Sequence, residues 1–251
     1  MSLSATDLRK AIRNNRLVLR LSRNWLKIAL GFLFLYTGLS VSTPFLMKAG
    51  ADGVANVIYK IYSPMCHQFA FRSWFLFGDQ LVYPREVAGS SLNSFESYAV
   101  EDPHFAGIDD VYMWTADLQL QARSFVGNEQ MGYKTALCER DVAIYGMMFL
   151  AGLLFAGVRR WLRPAPLWLY LILGLMPLGF DGFSQLFSYP PFEFWPVRET
   201  LPGYRAVTGA LFGLMNVWLA FPYLEMSMLE AQEAISRKLN IAEQHLRELE
   251  G

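Results

Sequence analysis

Two cysteines, three histidines and a handful of isolated charges carry most of the reactive chemistry of this 251-residue chain, and they fall in short motifs. Cys66 and His67 are adjacent within Ser63-Pro64-Met65-Cys66-His67-Gln68, and Cys138 opens Cys138-Glu139-Arg140. Sulfur and imidazole nitrogen suit zinc, copper or iron rather than magnesium or calcium. Cys66, His67 and Cys138 therefore form one candidate set for a transition metal, with Met65 able to add a thioether. Neighbouring Cys and His reach one ion only through an accommodating turn, which Ser63-Pro64 can supply. The same two cysteines can instead form a disulfide. Joining them closes a loop of roughly 70 residues, worth ~4 kcal/mol in the chain-entropy model, and an oxidising exterior favours the bond. Free thiols are the third reading, and Arg140, two positions from Cys138, would then lower the thiol pKa and raise its reactivity. The spacing leaves all three open.

A second set of polar residues lies among apolar stretches. Asp181 follows Pro177 and Gly179 and precedes Gly182, so a helix is expected to break where the carboxylate appears. Gln185 stands one helical turn later and faces the same way. Ionisable groups near lipid cost a few kcal/mol unless paired and are functional candidates for that reason. Arg205 and Arg140 are the expected partners of Asp181, and an inter-helix salt bridge alone would account for them. Arg72, with Asp79 and Gln80, reads as the polar edge of an interfacial helix, and Phe69, Phe71, Trp74, Phe75 and Phe77 as aromatic anchors at a membrane surface. His104 and His245 have no partner at metal-binding spacing. No Gly-rich phosphate loop, Ser-His-Asp order or His-Glu-x-x-His helix stands out, and no basic nucleic-acid patch lies outside the N-terminus.

The elements that must hold these residues are membrane helices. Hydrophobic residues make up 53 % of the chain and charged ones 18 %, too apolar for an ordinary soluble protein of this length. A bilayer crossing needs about 20 mostly apolar residues. Four segments qualify: Ile28–Met47, Val142–Val158 with Gly146, Gly152 and Gly157 for close packing, Pro166–Gly179 with a few flanking residues, and Ala206–Leu224. The fold class is all-α, a polytopic helical membrane protein. Arg9, Lys10, Arg13, Arg16, Arg20, Arg23 and Lys27 put the start of the chain in the cytoplasm, and Arg159, Arg160 and Arg163 satisfy the same rule at the end of the second span. The long basic start and spanning-length apolar run read as a retained anchor rather than a cleaved signal. Those arginines are expected to meet anionic lipid. Both termini are then cytoplasmic, and every polar motif above faces the exterior.

Five regions follow: a basic helix over 1–27, a first span with an interfacial Cys-His segment over 28–83, an acidic extracytoplasmic insertion over 84–135, a three-helix membrane region over 136–224 and an amphipathic cytoplasmic helix over 225–251. Val54–Leu81 is expected to form two interfacial or re-entrant helices, with a spanning hairpin as the alternative. In the last segment Leu224, Met228, Ala231, Ile235, Leu239, Ala242, Leu246 and Leu249 approach a heptad stripe. It predicts a short coiled coil, a partner-binding helix, or packing on the basic N-terminal helix through Leu17 and Leu21.

Taken in order, Cys66-His67-Gln68, Arg72-Ser73 with Phe75, Gly78-x-Gln80, Cys138-x-Arg140 with Ile144-Tyr145-Gly146, Pro177 with Asp181-Gly182-x-x-Gln185, and Arg205 with Thr208-Gly209 resemble an uncharacterised family of prokaryotic integral membrane proteins, domain of unknown function two-zero-eight-five. The resemblance covers about Tyr62 to Phe221. It implies a multi-pass protein of the prokaryotic cytoplasmic membrane and a grouping of these motifs, and it supplies no reaction. The chain departs from the family pattern in its long acidic insertion and in lacking a second cysteine over Asp141–Ala143. The leading expectation is an accessory or binding protein, a subunit of a larger membrane complex or a homo-oligomer, whose Cys66, His67, Gln68, Arg72, Cys138, Arg140, Asp181, Gln185 and Arg205 form a structural or ligand site. The alternative is a thiol- or metal-dependent redox enzyme acting on a quinone, a lipid or a periplasmic thiol. Few polar residues in the spans and no internal repeat argue against a transporter.

Overall fold

A computed structural model describes residues 5–250, and four of its helices are long and apolar enough to cross a membrane. The basic α1 (Ala5–Arg23) ends at Asn24, and the first of these four, α2 (Trp25–Lys48), begins one residue later. Gly50 closes α2 at φ 75°, its N–H bonded to the Met47 carbonyl, a left-handed end that costs glycine little. A short amphipathic α3 (Asp52–Tyr62) follows. The remaining spans are α6 (Glu139–Val158), α7 (Leu167–Leu186) and α8 (Pro202–Glu250). Chain order alternates their directions, so the ends at Lys48, Glu139, Leu186 and Pro202 share one side.

The expected spans all exist, with longer polar ends. Val142–Val158 begins three residues earlier, at Glu139, because Cys138 leaves a strand in extended conformation (φ −70°, ψ 164°) as the residue preceding the helix. Asp181 does not mark a helix break. Pro177 lies inside α7, directly after a wide π turn at Tyr170–Leu175. That turn redistributes the backbone bonding that a proline, lacking an N–H, would otherwise interrupt. The fourth span continues through Pro222 into a single helix of 49 residues.

Packing between spans is sparse where lipid is the neighbour. Leu154, Phe180 and Leu167 are all exposed. A core of Trp25, Leu26, Leu33, Ala151, Phe155, Val217 and Phe221 joins α2, α6 and α8. A close backbone approach is at Gly209 and Gly213, four residues apart on α8. A Cβ at Gly213 would lie 2.3 Å from the Ile144 carbonyl oxygen, and one at Gly209 would lie 2.7 Å from that of Arg140. Of the three glycines noted on α6, Gly152 meets Leu30 closely, whereas Gly157 has open space around it. The small-residue contact that sets the α6–α8 distance is thus on the partner helix.

Between α3 and α6 the chain builds a folded unit outside the spans. It contains β1 (Ser73–Leu76), α4 (Phe95–Ala99), α5 (Ala116–Ser124), β2 (Gly127–Asn128) and β3 (Gly132–Cys138). The strands form an antiparallel sheet in the order β1-β3-β2, with Ser73 opposite Cys138 and Phe75 opposite Lys134. Ser94 and Thr115 start α4 and α5 by accepting the Ser97 and Leu118 N–H groups. Phe69, Phe71, Phe75, Tyr83, Phe95, Phe105, Leu118 and Phe125 share one core. Two expectations are corrected here. The second half of Val54–Leu81 is a short turn of helix and a strand, not an interfacial helix, and Phe69, Phe71 and Phe75 fill a protein core rather than anchor in lipid. Over Ser73–Leu76 buried and half-buried positions alternate, the period of a strand. The folded unit begins at Phe69, upstream of the acidic stretch that starts at Pro84.

On the other side of the spans, the Trp25 indole donates to Glu225 at 2.8 Å and Arg159 lies 3.7 Å from the same carboxylate. Beyond this level the distal half of α8 packs on α1. Leu8, Ile12, Leu19 and Leu239 are buried together, with Ile235, Ala242 and Leu246 against them. Leu17 and Leu21, expected on this interface, are exposed rather than part of its buried core, and Leu17 lines a hollow beside it.

Candidate functional site

The ends of α6, α7 and α8 meet the folded unit around a cleft of about 650 Å³. Cys66, His67, Gln68, Arg72, Cys138, Arg140, Gln185 and Arg205 all line it, and Asp181 is bonded to one of them. The convergence expected from span orientation is therefore present in space. Phe69, Trp114, Leu186, Tyr189 and Pro190 supply an apolar wall.

Cys66 reaches the cleft because α3 stops at Tyr62, whose carbonyl accepts the Cys66 N–H at 3.1 Å. Gln68 then adopts φ 55°, and its amide nitrogen donates to the Tyr59 and Ala136 carbonyls at 3.0 and 2.8 Å. This clamp ties the motif to β3. Lys134, fully buried in the same strand, donates to the Gln68 carbonyl at 2.6 Å and to that of Arg123 at 2.8 Å. Burial pushes its ammonium down to about 7.

Cys138 is the last residue of β3 and leads into α6. Its N–H donates to the Cys66 sulfur at 3.3 Å. The sulfurs are adjacent but not bonded, so the disulfide is not formed. The metal set is also revised. Cys66, Cys138 and Asp141 each offer a ligand atom within 4.8 Å of the others, whereas His67 is turned away, with its ring 5.4 Å from Phe69. Asp141, in the first turn of α6 and three residues after Cys138, returns toward it. The hydrogen bond to Cys66, burial and the neighbouring thiol hold Cys138 well above the usual thiol range.

The other wall is a network of ions. Arg140 pairs with Asp181, which also accepts from Thr200 at 2.5 Å and lies 3.3 Å from Arg198. Arg205 does not pair with Asp181; it bonds Glu199. Glu199 in turn accepts from Arg72 at 2.5 Å, from Tyr189 at 2.8 Å and from Gln185. Burial raises the Glu199 pKa, but Arg72, Arg205 and Tyr189 overcome this and hold the carboxyl below its ordinary value. Arg72 also lies over the Trp114 ring at 5.5 Å, and Trp114 stacks on Tyr189 at 4.0 Å. Glu139 is fully buried with both carboxylate oxygens lacking a hydrogen bond, and Arg205 is 3.9 Å away. Arg72 is thus a strut between the folded unit and the loop before α8, not an interfacial edge.

Sequence reasoning missed Glu199, Arg198, Asp141, Glu139 and Lys134. Arg198-Glu199-Thr200 stands directly before a span, the position that singled out Cys138-Glu139-Arg140, and that signal was available. Nothing local distinguishes Lys134 from a surface lysine. A second hollow of about 690 Å³ lies between α1 and the distal half of α8, but it holds arginines and leucines without a thiol or a ligand cluster.

Neither a curated protein nor a solved structure matches the chain. Residues 118–219 match a family model described as Predicted membrane protein (DUF2085). That stretch contains Cys138, Arg140, Asp181, Glu199 and Arg205; the Cys66–Gln80 motifs precede it. Spans, motifs and match agree: over these residues the chain is similar to the predicted membrane proteins of DUF2085.

Proposed function

We propose that this chain is a membrane binding protein whose cleft takes an amphipathic ligand with an anionic head. The observation that carries the reading is the composition of the cleft. Three guanidiniums, Arg72, Arg140 and Arg205, line it against one carboxylate, Asp141, beside an apolar wall of Phe69, Trp114 and Leu186. Each guanidinium has five donors, and the ion pairs to Asp181 and Glu199 use only some of them. The volume lies within the usual range for small-molecule sites. The ends of α7 and α8 beside it carry the exposed side chains of Phe183 and Tyr204, so an acyl or isoprenoid tail can remain in lipid while the head enters. The basic clusters of α1 and Arg159–Arg163 lie at the other ends of the spans, which supports an exterior cleft and cytoplasmic termini. An accessory role within a larger membrane assembly is consistent with such a site.

Gly182 provides the test. A Cβ there meets nothing closer than an Arg140 nitrogen at 3.7 Å, so leucine fits the helix and fills the cleft. Short-chain phosphatidic acid should raise the melting temperature of the wild-type chain in detergent and have little effect on Gly182→Leu. Ligand at 100 times its Kd stabilises by about 2.7 kcal/mol. An equal shift from phosphatidylcholine, or a full shift from inorganic phosphate alone, would refute the reading.

A further inference from the structure

We infer that Cys66, Cys138 and Asp141 form a binding site for a zinc-class divalent ion, with its fourth position open to the cleft. The inference rests on that cleft being a binding site and adds an ion to its wall. The donors come from two distant segments: Cys66 from the turn after α3, and Cys138 and Asp141 from the junction of β3 with α6. Their ligand atoms already lie within 4.8 Å of one another. Two thiolates on a tetrahedral ion at ~2.3 Å are about 3.8 Å apart, so small rotamer changes close the set. Two sulfurs and one oxygen suit zinc and its neighbours and exclude magnesium and calcium.

A bound divalent ion deprotonates a thiol that coordinates it. Cys66 sulfur accepts the Cys138 N–H, a bond that strengthens as negative charge develops on sulfur. Arg72, Arg140 and Arg205 line the same cleft. Two thiolates and one carboxylate carry three negative charges; a divalent ion leaves one, facing those cations. Three protein ligands with an accessible fourth position are the arrangement of zinc sites that bind an exogenous ligand, in contrast to closed structural sites. An anionic head held by the arginines would reach that position.

The test uses the full chain in detergent, purified with reductant and handled without oxygen. Cobalt(II) serves as the spectroscopic probe and zinc as the competitor. The expected result is about one equivalent of cobalt with a thiolate-to-metal charge-transfer band, displaced by zinc. Cys66→Ser and Cys138→Ser should lose the band. Asp141→Asn should weaken binding at least tenfold, and His67→Ala should bind as the wild type does. Asp141 and His67 are not fully buried, so their variants remain informative if a cysteine variant fails to fold. Loss of the band in His67→Ala with retention in Asp141→Asn would overturn the assignment, as would a wild-type chain that takes up no cobalt. Phosphatidic acid binding is measured on chelator-treated protein. A lipid shift without metal uptake therefore refutes the ion alone, and metal uptake without a lipid shift refutes the ligand reading alone.

Discussion

Replacing Glu199 by glutamine keeps the shape of the side chain and removes one charge from between two guanidiniums. Glu199 side-chain exposure is 2 %, that of Arg205 is 4 % and that of Arg72 is 23 %. Arg205 is therefore the cation left buried, while Arg72 retains some access to water and its contact with the Trp114 ring. Breaking a buried pair from one side costs about 3–5 kcal/mol, because the remaining charge is uncompensated. The structure selects the lower half of that range: Glu139, with no hydrogen bond of its own and 3.9 Å from Arg205, can turn to it. The expected loss is about 3 kcal/mol, measured by reversible unfolding in mixed micelles. Adding Arg205→Met to Glu199→Gln should recover part of it, since replacing both members of a buried pair is often near neutral. The pH dependence has a definite sign. The folded pKa lies below the ordinary 4.5, so the contribution of this carboxylate is complete above that value and lost as pH falls below it. Glu199→Gln should flatten this acid limb. A loss under about 0.5 kcal/mol, with an unchanged acid limb, would refute the view that Glu199 holds the arginines.

Gly213→Ala should cost about 1–3 kcal/mol, because its Cβ would meet the Ile144 carbonyl oxygen at 2.3 Å and force α6 from α8; Gly203→Ala, in open space on α8, should be near neutral in the same unfolding assay. Leu239→Ala removes a buried member of the α1–α8 contact and should cost about 2–3 kcal/mol locally. Hydrogen exchange should rise in α1 and not in α6. Arg85→Met leaves Glu96, bonded at 2.8 Å and buried, without its cation, and should destabilise the unit outside the spans by about 3 kcal/mol, read as faster proteolysis between Phe69 and Phe125.

The spans were legible in the sequence because lipid imposes a simple condition, a run of about 20 apolar residues whose backbone bonds itself. Alternation of those spans then brings Cys138, Arg140, Gln185 and Arg205 to one side without knowledge of packing. Local patterns were less reliable where a proline or an aromatic run admits two structures. A helix break was expected at Asp181, after Pro177 and Gly179, where the helix runs on to Leu186, and the Phe69–Phe77 aromatics were expected at the membrane surface, where Phe69, Phe71 and Phe75 fill a protein core. Only the folded unit around β3 decided the place of those aromatics.

Partnership was a tertiary matter throughout. Asp181 has Arg140, as one alternative held, but Arg205 went to Glu199, in the loop that leads into its own helix. Asp141 rather than His67 stands beside the thiols, because three residues of helix bring its side chain back toward Cys138. Composition and hydropathy determine which residues reach the membrane surface, since transfer energies add along the chain. Which charges pair there depends on distances of a few ångströms between segments far apart in sequence, and only the packed helices set those.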